Sequence, residues 1–128
     1  MKKEKIKKSL KELLSQKKEI IFAYLYGSFL EREDYSDIDV GIYVNEEKIK
    51  DLFEYEMNLY AFIREKLNKE VDIRILNKAP LGFIFNVLKG EILFSKNDNL
   101  LTDFIEKVGR EYSEFHYLNK KYTEEIFR

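Results

Sequence analysis

The stretch GSFLEREDYSDIDV, Gly27 to Val40, decides how the rest of the chain is read. Before it runs IIFAYLY, a β-branched and aromatic segment that reads as a buried strand over 19–26, stopped by a tight turn at Gly27. After the turn, FLEREDYS reads as a short helical turn plus loop, and DIDVGIYV as a second strand over 37–44. In a strand, residues i and i+2 share a side, so this register puts the carboxylates of Asp37 and Asp39 on one face, with Ile38 and Val40 on the other. Two like charges so close repel, and one takes up a proton unless a cation or hydrogen-bond donors compensate them. A divalent cation compensates both at once.

Further along, EVDIRIL (70–76) reads as a third strand with a single acid, Asp72, in an apolar frame, as if completing a carboxylate triad from a neighbouring strand. Three carboxylates suit a pair of hard cations. Magnesium prefers carboxylate oxygens and keeps positions for water and nucleotide phosphates, which fits phosphoryl or nucleotidyl transfer. Gly27 lets backbone approach a phosphate with no side chain in the way, and the Ser28 hydroxyl and nearby N–H groups at a helix start can hold its oxygens. The rival reading of Asp-x-Asp-x-Gly as an EF-hand fails on spacing. Gly41 falls at the fifth loop position instead of the sixth, and the twelfth is Lys48 rather than Glu.

Around these strands, Ile6, Leu10, Leu13 and Leu14 predict an amphipathic helix over 4–18. Ile49, Leu52, Phe53, Leu59, Tyr60, Ile63 and Leu67 predict a long helix over 46–68, with Asn45 as its N-cap. Pro80, the only proline, opens a short helix over 81–88 that ends at Lys89 and Gly90. EILFS reads as a fourth strand, and a last helix over 101–127 is rich in Tyr and Phe. With 128 residues and no repeats or linkers, the expectation is one α/β domain over 1–128. Its core would be a small mixed sheet of about four strands flanked by helices, with a C-terminal helix from about residue 100 packed on it.

The composition narrows the function classes. A formal net charge of −1 gives no ground for strong general nucleic-acid or membrane-surface binding. The absence of Cys excludes disulfides and thiolate metal sites, and cytoplasm is the default location. The basic N-terminus is not followed by the apolar core of a signal peptide, and no apolar run is long enough to cross a bilayer.

Gly-Ser, then Asp-x-Asp, then a third Asp on a later strand resembles the nucleotidyltransferase superfamily of DNA polymerase beta. The small size resembles its minimal nucleotidyltransferase (MNT) branch, the antitoxins of HEPN/MNT toxin–antitoxin pairs. YLYGSF and SDIDVGIYV carry the signature, EVDIRIL the third acid, and GEILFSKN with the following aromatic helix is similar to the family's later part. The resemblance implies a nucleotidyltransferase fold in which Gly27 and Ser28 hold nucleotide phosphates and Asp37 and Asp39 ligate two Mg2+ ions. Asp72, the third acid of that metal site, would position or deprotonate the attacking hydroxyl. It also implies AMP transfer from ATP to a hydroxyl, in the antitoxin branch a tyrosine of a cognate HEPN ribonuclease toxin. The spacer from Ser28 to Asp37 holds eight residues, shorter than is common in the family, and this bears on nucleotide preference.

Two other readings stand beside this one. The chain could neutralise a toxin by binding alone, or transfer a nucleotide to a small molecule or RNA. Arg32 in the spacer reads as a solvated side chain. Arg110 and His116 match the loose R-x-x-x-x-x-H pattern of HEPN ribonucleases, but three quarters of the chain has strand signals and acids that such a helical toxin lacks. Tyr112, Phe115, Tyr117, Tyr122 and Phe127 read as a packing stripe; if exposed, they would suit toxin contact or homo-oligomer formation. Lys2, Lys3, Lys5, Lys7 and Lys8 read as a solvated helix end.

Overall fold

A computed structural model describes the backbone of residues 2–126 and the side chains of residues 2–114. The elements run α1 (Lys3–Ser15), β1 (Ile20–Tyr26), α2 (Ser28–Glu31), β2 (Ile38–Val44), α3 (Leu52–Leu67), β3 (Val71–Ile75), α4 (Leu81–Leu88), β4 (Glu91–Ser95) and α5 (Asp98–Ile126). A 3-10 turn over Glu46–Lys48 separates β2 from α3. The four strands form one mixed sheet in the order β3-β2-β1-β4, with β2 and β3 parallel and the other pairs antiparallel.

Helices cover both faces, and the strand patterns follow from that. β1 and β2 are central and nearly continuously buried, as strands covered on two sides must be. On one face, Ala23, Leu25, Val40, Ile42 and Ile73 pack against Ile6, Leu10 and Leu14 of α1 and Leu59, Ile63 and Leu67 of α3. On the other, Phe22, Tyr24 and Tyr26 meet Val87 of α4 and Leu101 of α5, with Tyr43 stacked on Phe22 and Phe104 tilted against it. Gly41 makes the second layer fit: a Cβ there would lie 2.8 Å from Val87 Cγ1 and 3.0 Å from Leu76 Cδ2. β3 is an edge strand, and it alternates Val71, Ile73 and Ile75 inward with Asp72 and Arg74 exposed.

Several boundaries differ from the sequence expectation. The long helix begins at Leu52, not at 46, because Asp51 supplies the cap: its Oδ1 accepts from Glu54 N at 3.1 Å. Asn45 does cap, but it caps only the 3-10 turn, accepting from Glu47 N at 3.2 Å. Asp37 precedes β2 instead of lying within it. α1 stops at Ser15 and α5 starts at Asp98, each three residues earlier than the expected 18 and 101. Of the aromatic stripe, Tyr112 stacks on Phe85 of α4 with ring centroids 3.9 Å apart. The side chains of Phe115, His116, Tyr117, Tyr122 and Phe127 lie outside the described residues, and no helix among those described is long and apolar enough to cross a membrane.

Candidate active site

The sheet register assembles the site. Tyr26 of β1 pairs with Asp39 of β2, and Asp39 pairs with Asp72 of β3, so the three side chains form one row across the sheet. The next row holds Tyr24, Gly41 and Arg74. Because β2 and β3 are parallel and in step, two acids from separate motifs become direct neighbours on one face. Asp37, at the approach to β2, adds a third charge that acts on Asp39.

Gly27 closes the row from above. The chain leaves β1 through this residue with φ +82° and ψ −159°, a conformation that essentially only glycine adopts. A Cβ at this position would lie 2.6 Å from Asp39 Oδ2, so the turn rests directly against the carboxylate. Ser28 then begins α2, whose leading N–H groups have no carbonyl partner within the helix. Backbone donors, the Ser28 hydroxyl and the acid row therefore share one corner at the end of β1.

The electrostatics follow from this crowding. Burial holds the Asp39 carboxyl above its ordinary range, the charges of Asp72 and Asp37 push it further the same way, and Arg74 partly offsets them. Burial, with Asp39 and Asp72 beside it, likewise raises the Tyr26 hydroxyl. Arg74 Nε donates to both oxygens of Asp72, at 3.2 and 3.4 Å. Among the described residues no three His, Cys, Asp or Glu side chains are gathered into a ready metal cage. Asp39 and Asp72 side by side, with the charge of Asp37 acting on Asp39, concentrate carboxylate oxygens and negative charge of the kind a hard divalent cation neutralises.

Of the residues expected from the sequence, Gly27, Ser28, Asp39 and Asp72 meet at this corner of the sheet, and Asp37 is near enough for its charge to act on Asp39 without joining the other two acids in a metal cage. Sequence reasoning missed Arg74 and Tyr26. Both carried a signal: Arg74 is two residues after Asp72 and so on its face, and Tyr26 immediately precedes the glycine turn. Arg32 is exposed beside Asp34 on the loop after α2. A larger cavity of about 560 Å3 lies at the far end of β2, among Tyr43, Val44, Asn45, Asn77 and Asn97, and includes none of these residues.

The family described as polymerase beta nucleotidyltransferase matches residues 8–99, more than two thirds of the chain, and this protein belongs to it. No curated protein matches the sequence. Among solved structures, the chain is similar to a tri-AMPylated Shewanella oneidensis HEPN toxin in complex with MNT antitoxin, with TM-score 0.73 and 18% identity over 99% of this chain and 100% of that one. It is also similar to the toxin–antitoxin MntA-HepT, with TM-score 0.70 and 18% identity over 95% and 97% of the two chains. A third, a toxin–antitoxin structure with AMP-PNP, has TM-score 0.71 and 19% identity over the whole of both chains. At these identities the likeness establishes a shared fold.

Proposed function

We propose that this chain transfers AMP from ATP to a hydroxyl of a HEPN-type toxin protein and so acts as its antitoxin. The observation that carries this reading is the cross-strand pair Asp39 and Asp72, set against the Gly27–Ser28 turn in a chain of the polymerase beta nucleotidyltransferase family. The solved complexes of the same fold support the choice of acceptor, since one contains a tri-AMPylated HEPN toxin and another an ATP analogue.

In this reading Gly27 and Ser28 hold the phosphate oxygens of ATP through backbone N–H groups and the hydroxyl. Asp37 and Asp39, with Asp72 as the third acid, would hold two magnesium ions, which when bound neutralise charge building on the α-phosphate and the leaving group. Asp72 orients the acceptor hydroxyl and takes its proton. The acceptor oxygen bonds to the α-phosphorus, the bond from that phosphorus to the bridging oxygen breaks, and pyrophosphate leaves with the electron pair. Catalysis is then mostly alignment and charge neutralisation by fixed groups. An adenylyl group on the toxin adds negative charge and bulk beside its RNA site.

The test is mass spectrometry of a HEPN-type toxin encoded beside this chain, after incubation with it, ATP and magnesium. Addition of one or more adenylyl groups to a hydroxyl side chain is expected. An unmodified toxin, with the adenylyl group found instead on RNA or a small hydroxyl compound added to the same mixture, would reassign the acceptor.

A further inference from the structure

The two most exposed large apolar side chains among the described residues sit together. Phe53 is 71% exposed and Met57 52%, one turn apart on α3, and Tyr60 continues the stripe at the next turn. α3 buries Leu59, Ile63 and Leu67 elsewhere, so this stripe is surplus to its packing on the sheet. Phe53, Met57 and Tyr60 line a cavity of about 200 Å3 together with Glu56, Asp72 and Arg74, along the outer edge of β3. An apolar stripe and the candidate catalytic carboxylate thus share one groove.

We propose that this groove seats the acceptor, as an extended segment of the partner protein that carries its hydroxyl to Asp72. This rests on the adenylyl-transfer reading above. The order of groups across the sheet supplies the first argument. The phosphate-holding turn Gly27–Ser28 follows β1, Asp39 is on β2, Asp72 on β3, and the groove lies beyond β3. In-line displacement needs the nucleophile on the side of the phosphorus opposite the departing pyrophosphate. With the leaving group toward β1, the acceptor enters from the groove.

The outer edge of β3 decides what kind of acceptor fits. β3 pairs with β2 alone, and Leu76 N–H points inward to Ile42 O at 2.8 Å. Ile75 N–H points the other way and donates to Glu56 Oε1 at 2.8 Å. Ile73 shares the parity of Ile75, so its N–H faces the same outer edge, within the groove. A strand edge beside an apolar stripe suits an extended polypeptide, with a main-chain bond from Ile73 N–H and apolar side chains on Phe53 and Met57. A small polar acceptor would leave that apolar surface uncovered.

The test substitutes Phe53→Ser together with Met57→Ser in the full chain, with Ile105→Ser on α5 as the control. The exposure of both groove residues leaves the fold intact. With the HEPN-type toxin as acceptor, the expected result is a KM for toxin raised about tenfold or more. The KM for ATP and kcat should stay within about twofold of the unsubstituted chain, and the control should move nothing. An unchanged KM for toxin overturns the proposal. If the unsubstituted chain transfers no AMP, the adenylyl-transfer reading fails by itself, and calorimetric titration with toxin still reads the groove. Affinity weakened about tenfold supports it, and unchanged affinity overturns it. Loss of self-association with unchanged toxin KM and affinity also overturns it, and gives the groove to a second copy of the chain.

Discussion

Gly27 rests against Asp39: a β-carbon on the glycine would lie 2.6 Å from the carboxylate oxygen Oδ2. The backbone at Gly27, with φ +82°, admits no ordinary side chain without strain. Gly27→Ala therefore disturbs the turn and the acid together. The expected cost is about 1–3 kcal/mol of stability from the backbone alone, and a drop of about a hundredfold in transfer from misplacing the carboxylate. Denaturant unfolding and single-turnover kinetics read the two effects separately.

Asp39 supplies a pH-dependent prediction. Burial, Asp72 and Asp37 hold its carboxyl above the ordinary range in the folded chain. An acid with a raised folded pKa costs no stability below its unfolded pKa. The cost grows as the pH rises from there through the folded value, and it is complete above that. Asp39→Asn should thus melt at a higher temperature than the unsubstituted chain at pH 7, and the difference should vanish by about pH 3, below the ordinary carboxylate range. Magnesium should narrow the gap at pH 7 by stabilising only the chain with both carboxylates. Thermal melts at the two pH values, with and without magnesium, measure it.

Asp72 and Arg74 separate catalysis from charge balance. Asp72→Asn should nearly abolish transfer while leaving the melting temperature and ATP binding in place, since the side chain is exposed on an edge strand. Arg74→Gln removes the cation bonded to Asp72 and should change stability by no more than about 1 kcal/mol. With that counter-charge gone, the acids should bind magnesium a few-fold more tightly in the absence of nucleotide. A magnesium titration followed by thermal shift tests this, and weaker binding in Arg74→Gln would count against the acids as the ion site.

The start of α3 offers a test of the cap. Asp51→Ala should cost about 1 kcal/mol, because its carboxylate accepts from Glu54 N at the head of a sixteen-residue helix. Asn45→Ala should cost less, because Asn45 caps only the turn at 46–48.

How much of this was legible in the sequence depends on how local each signal is. The strands around Gly27 and Asp39 were readable because apolar runs, a glycine stop and period-two alternation are short-range. The grouping of Asp72 with Asp39 was suggested by a lone acid in an apolar strand and supported by a resemblance, but its physical basis is the parallel register of β2 and β3, and no spacing encodes a register. Two caps of the same chemical type, Asn45 and Asp51, stand six residues apart, and sequence gives no rule for which one starts the long helix. Arg74 was hidden for another reason. An arginine in EVDIRIL reads as a solvated strand residue until the acid two positions before it is placed on the same face.

Catalysis by the acids is decided by a single comparison. The purified chain and its Asp37→Asn/Asp39→Asn variant are each incubated with α-labelled ATP, magnesium and the HEPN-type toxin, and the toxin is assayed for label. Label is expected on the toxin with the unsubstituted chain and none with the variant, although the variant still folds. Equal neutralisation of the toxin by both chains with no label on either toxin sample would contradict it, and would make the chain an antitoxin that acts by binding alone.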